Sequence, residues 1–143
     1  MGIIHESDGQ RGMTFIVWDG EVIWDDWLKH MEELMADPEW RSLPRFIADL
    51  QTVSDTSTIG DDAIKQAAAL ISANREILAK KTGAVVADEE FWRARRFGEL
   101  LSEFGTSTVV FNTLDIACLF LNLDVAETRQ TLKRLRAKLR ING

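Results

Sequence analysis

Cysteine is almost absent from this chain: Cys118 is the single one in 143 residues. That excludes an intramolecular disulfide and any multi-cysteine metal site. Because Cys118 lies in the apolar run from Ile116 to Leu121, it reads as a small buried hydrophobe. Proline occurs twice and tyrosine not at all, and no Pro-, Gly- or Ser-rich linker or low-complexity tract divides the sequence. Positive charge is in deficit, with 17 Lys and Arg against 23 Asp and Glu and a net charge of -6. This opposes binding to phosphate backbones and excludes nucleic acid as a general partner. Long apolar runs are missing too: nothing approaches the roughly 18 consecutive residues of a membrane-spanning helix, so stable membrane insertion is not expected. Met1 to Gly9 lacks the basic start and apolar stretch of a secretory leader, and the expected location is the cytoplasm.

What the chain does have is a hydrophobic content of 45%, enough for the core of one domain of this length. Met13 to Trp18 and Glu21 to Trp24 are short β-favouring runs around Asp19-Gly20, a pair suited to a two-residue hairpin. Trp27, Leu28, Met31, Leu34 and Met35 then recur at helical spacing behind Asp25 and Asp26 and run out near Asp37-Pro38. Arg45 to Leu50 reads as a strand, and Asp61-Asp62 opens an alanine-rich helix expected to reach about Lys81 and stop at Thr82-Gly83. Ala84 to Ala87 reads as a buried strand, followed by a helix from the acidic Asp88 to Glu90 stretch to about Phe104. Thr108 to Phe111 gives another strand, Asn112 or Thr113 caps a short helix through Leu121, and Asp124 with Glu127 has capping-box spacing before a basic amphipathic helix.

The order is β-β-α-β-α-β-α-β-α-α, which predicts an α/β fold: a mixed sheet with an antiparallel hairpin and parallel βαβ crossovers, layered by helices. Residues 1–12 are expected to be a flexible end, 13–123 the domain, and 124–143 a helix packed on that domain or across a homodimer. Its Arg129, Lys133, Arg134, Arg136, Lys138 and Arg140 oppose the charge of the rest of the chain.

Four constellations carry candidate chemistry. The most informative is Phe46 to Gly60, where an apolar run ends in Asp49 and passes through Ser54, Asp55, Thr56, Ser57 and Thr58. Such hydroxyls either form turn and cap hydrogen bonds or present an interaction turn at a helix start. Arg93, Arg95 and Arg96 form a candidate anion contact, since guanidinium groups make forked bonds to phosphate or carboxylate; pairing with neighbouring glutamates is the bland alternative. Trp24, Trp27 and Trp92, among five tryptophans, could line an apolar pocket for a small ligand or could simply fill the core. Asp25, Asp26 and His30 share a helical turn, but a metal site would need further ligands. His5 falls in the expected mobile end, leaving no second histidine well placed for acid–base work and no Ser-His-Asp or Cys-His pairing. No cofactor, metal or catalytic residue is therefore expected, and the reading is non-enzymatic.

Asp49-Leu50-Gln51-Thr52-Val53 and Asp55-Thr56-Ser57-Thr58-Ile59, together with the element order, resemble the STAS family of sulfate transporter and anti-sigma factor antagonist domains. The similarity spans roughly residues 13 to 123 and is longest with a bacterial anti-sigma-antagonist-like or lipid-transfer-like branch. Thr58 stands where the family turn has glycine, and Thr56 where it has its first serine. The resemblance implies a regulatory module that binds a protein partner, with Ser57 as the matching phosphoacceptor. The competing reading is a small-molecule or lipid-binding domain.

Overall fold

In the computed structural model, which describes residues 2–55, 60–74, 76, 81–87, 95 and 107–142, strand periodicity organises the centre of the chain. In β2 (Met13–Glu21) Met13, Phe15 and Val17 point to one face of the sheet and Ile16 to the other, as alternation requires. β3 is Arg45–Asp55, β4 Lys81–Val85 and β5 Ser107–Phe111, while β1 is Ile3–Asp8. The sheet order is β1-β2-β3-β4-β5. β1 pairs antiparallel with β2, and every later pairing is parallel. The expected mixed α/β architecture is therefore the one observed.

Helices cover both faces. On one side lie α1 (Trp24–Ala36), α2 (Pro38–Ser42) and α3 (Asp61–Ala73), whose Trp27, Leu34, Trp40, Ala67 and Ile71 meet Ile3, Ile16 and Val22. On the other, α4 (Leu114–Leu121) and α5 (Val125–Asn142) bring Leu114, Leu121, Leu132 and Leu135 onto Phe15, Val17, Ile47 and Val85. Burying each of those leucines contributes roughly 2 kcal/mol. α5 is thus docked on its own sheet, with the Asp124 carboxylate accepting the Glu127 amide at 2.9 Å as its N-cap. α4 ends with Asn122 in the left-handed region (φ 57°). Lys81 donates to its Phe120 carbonyl at 2.8 Å and Arg45 to its Leu121 carbonyl, so cations at the starts of β3 and β4 satisfy the helix's open end.

Four expectations need correction. The hairpin lies one segment earlier than Asp19-Gly20 suggested: residues 3–8, within the end read as flexible, form β1, and the turn follows Asp8 and ends at Gly12 (φ 64°). Gly20 (φ 68°) sits inside β2, where the register against β3 shifts, so its conformational freedom serves a bulge. α2 was not foreseen; Pro38 occupies its first turn, and the Asp37 carboxylate accepts the Glu39 amide at 3.0 Å. α3 closes at Ala73 with Asn74 as its C-cap, and Lys81 begins β4 instead of ending a helix. The helix expected from Asp88 to Phe104 lies outside the described residues, except that Arg95 is helical.

Candidate functional site

The carboxyl ends of β3 and β5 face α5 across a polar cleft of about 740 Å3. Open α/β sheets receive ligands at the carboxyl ends of their strands. β3 supplies Asp49, Gln51 and Thr52; the residues after β5 supply Asn112 and Thr113. The α5 wall carries Arg129, Lys133, Arg136 and Arg140. Their spacing of four, three and four places them on one stripe of the helix, directly beside the stripe of Thr128, Leu132, Leu135 and Leu139 that is buried.

One hydrogen-bonded chain crosses the base of this cleft. Asp49, 1% exposed, accepts the Gln51 amide at 3.0 Å and the Gln51 side-chain amide at 3.1 Å through Oδ1, and Arg136 Nη2 through Oδ2. Arg136 Nε donates to Thr52 Oγ1 at 3.0 Å, and that hydroxyl donates to Asp19 Oδ1 at 2.6 Å. Arg140 closes the chain with a fork onto Asp19, Nε to Oδ2 at 2.9 Å and Nη2 to Oδ1 at 3.1 Å. Hydrogen bonding from Arg140, and then from Thr52, holds the Asp19 carboxyl below the usual carboxylate range against the opposing effect of burial.

A second polar cluster lies where β1 meets α1 and α2. His5 Nδ1 is 3.2 Å from His30 Nε2, and His5 Nε2 is 3.1 Å from Asp37 Oδ2. Burial, and then the neighbouring His5, pushes His30 down to about 3, so its imidazole is neutral near pH 7. With neutral His5 donating Nε2–H to Asp37, its Nδ1 accepts from His30; protonated His5 donates from both nitrogens, and His30 must then take the other tautomer. The sequence reading placed His5 in a mobile end and so missed this pairing. The signal available was His5 itself, two residues beyond the apolar Ile3.

The remaining candidates separate. Asp49 is buried in the network above, while Ser54 is exposed at the end of β3 and Asp55 closes that strand. Thr56, Ser57 and Thr58 lie outside the described residues. The N-cap of α3 is Gly60, which brings no side-chain acceptor to the helix start. Arg95 is helical and exposed, and Arg93 and Arg96 lie outside the described residues. Trp24 and Trp27 stack on each other, with ring centroids 4.8 Å apart and planes 12° from parallel. Both belong to the packing beneath α1; Trp92 lies outside the described residues. Asp26 accepts the Ile23 amide at 3.4 Å, and His30 turns to His5, so Asp25, Asp26 and His30 do not converge. Among the described residues no group of three or more His, Cys, Asp or Glu is placed to hold a metal ion, and no helix is long and apolar enough to cross a membrane. Comparison with protein-family models, curated proteins and solved structures finds no significant match for this chain.

Proposed function

We propose that this protein is a non-enzymatic regulatory module of STAS-like type that binds a protein partner in the cytoplasm and is switched by phosphorylation in the segment between β3 and α3. One observation carries the reading. Ser54 and Gly60, the described residues on either side of the segment that contains Ser57, are both exposed. A phosphate on Ser57 adds close to two negative charges beside Asp55 and ahead of Asp61-Asp62, and like-charge repulsion of that kind ejects an acidic partner surface. The sequential sheet order, opened by one antiparallel pair, supports the same reading. Among the described residues, the most exposed large apolar side chains that a further copy could cover are Ile116 and Leu119 on α4 and Ile141 near the end of α5, since Leu132, Leu135 and Leu139 of α5 are already buried on its own sheet.

The test uses the full-length chain as bait, with Ser57→Asp and Ser57→Ala beside the parent and captured proteins quantified by mass spectrometry. The reading expects a partner held by the parent and by Ser57→Ala and depleted by Ser57→Asp. Equal capture by all three removes the switch.

A further inference from the structure

We propose that the cleft between α5 and the carboxyl ends of β3 and β5 is a binding site for a small soluble oxyanion of the phosphate-monoester class. The inference does not rest on the regulatory reading, since the cleft lining contains none of residues 54–58. Four cationic side chains on one helical stripe outnumber the two carboxylates, Asp49 and Asp115, in the lining of this cleft, in a chain whose net charge is -6. Concentrating positive charge against the overall sign focuses anions at that point.

Cations at the end of a helix also complement its dipole, and that account covers Arg140 in the last turn. It does not cover Arg129 and Lys133, which stand in the first half of α5. Arg136 is committed to Asp49 through Nη2 and to Thr52 through Nε, and Arg140 to Asp19 through both Nε and Nη2. Arg129 meets Asp115 at 3.2 Å, with both side chains more than 60% exposed, and such a pair is worth little in water. An incoming oxyanion therefore displaces Asp115 from Arg129 at small cost. Lys133 is exposed, and no ion pair is recorded for it among the described residues. An exposed ammonium beside an exchangeable guanidinium suits a doubly charged tetrahedral group, which accepts from several donors at once. Asn112 and Thr113, on the facing rim, contribute uncharged polar groups that fit the ligand's remaining oxygens or an ester's hydroxyls. The volume of about 740 Å3 leaves room for an organic portion beyond the phosphoryl group.

The experiment titrates the 15N-labelled full chain with inorganic phosphate, glycerol 3-phosphate, sodium chloride at matched ionic strength, and vesicles containing phosphatidic acid. Lys133→Gln and Arg129→Gln remove the proposed contacts at exposed positions, where the fold is insensitive. Lys138→Gln removes one charge from the same helix on the side that faces Glu6 and serves as the control. The proposal expects saturable amide shifts at Thr52, Asn112 and Lys133 with at least one soluble phosphate. It also expects affinity reduced about tenfold or more in Lys133→Gln and Arg129→Gln, with Lys138→Gln matching the parent. Three results overturn it: no saturable shift with either soluble phosphate, equal weakening in all three variants, or binding confined to the vesicles.

Discussion

Arg136 of α5 donates to the buried carboxylate of Asp49, 87 residues earlier in the middle of β3. The Asp49 side chain is 2% exposed and that of Arg136 18%, so the pair sits where water screens it little. Truncating one partner strands a charge, and that penalty exceeds the net value of the pair. Arg136→Ala is expected to lower stability by about 3 kcal/mol, near the low end for such pairs because Gln51 still donates to Asp49. The double change Asp49→Leu with Arg136→Met should lie within about 1 kcal/mol of the parent. Urea unfolding at pH 7 decides it: a double variant as unstable as Arg136→Ala would refute the argument.

The Arg134–Glu6 pair joins the same helix to β1, yet its expected effect is much smaller. Its side chains are 55% and 37% exposed, and solvent screening leaves such pairs below about 1 kcal/mol. Glu6→Gln should shift the urea midpoint only slightly, and the shift should shrink further in added salt. A loss as large as that of Arg136→Ala would contradict the distinction drawn from burial.

His30 makes stability depend on pH. Its folded value is pushed down to about 3 from an unfolded value near 6.5, so below pH 6.5 the unfolded chain binds a proton that the folded chain refuses. Stability from this group is full above that pH and falls by about 1.4 kcal/mol per unit as the solution is acidified toward pH 3. Between pH 6.5 and 5 the expected loss is about 2 kcal/mol, before most carboxylates titrate. In His30→Gln this part of the slope should vanish. Parallel urea curves for parent and variant across the window would rule out His30 as the source.

The sequence makes one half of the Asp49–Arg136 relationship legible and hides the other. Asp49 stands out because an apolar strand ends on it, and Leu132, Leu135 and Leu139 announce the buried face of α5. Nothing local states that Arg136, one position off that face, comes to rest on Asp49, because the contact depends on where α5 crosses the sheet. β1 is obscure for a related reason. Of its six residues only Ile3 is fully buried, while His5 and Glu6 look solvent-bound until Asp37, His30 and Arg134 are brought to them. β2 and β3 are legible because each contains a short run apolar on both faces, and α1 and α5 because one regular face of each is apolar.

Gly83 shows how a correct residue can be assigned the wrong task. Read as a helix stop, it is instead a buried residue inside β4, and its missing side chain lets α4 approach the sheet. A Cβ there would lie 2.9 Å from Leu121 Cδ1 and 3.5 Å from its Cγ. Leu121 is fully buried, so it can yield only by disturbing its neighbours, and overpacking of this kind costs about 1 to 3 kcal/mol. Reduced freedom of the unfolded chain offsets about 0.5 to 1 kcal/mol of that. Gly83→Ala should therefore destabilise by about 1 kcal/mol, and Gly83→Val by more. The sharper measurement is a double-mutant cycle with Leu121→Ala, which alone should cost about 2 to 5 kcal/mol through its cavity. If the close approach of α4 is what keeps position 83 a glycine, the new methyl fills part of that cavity, and the two changes together cost less than their sum by roughly 1 kcal/mol. Strict additivity would show that the sheet accommodates the methyl elsewhere and that Leu121 does not set the constraint.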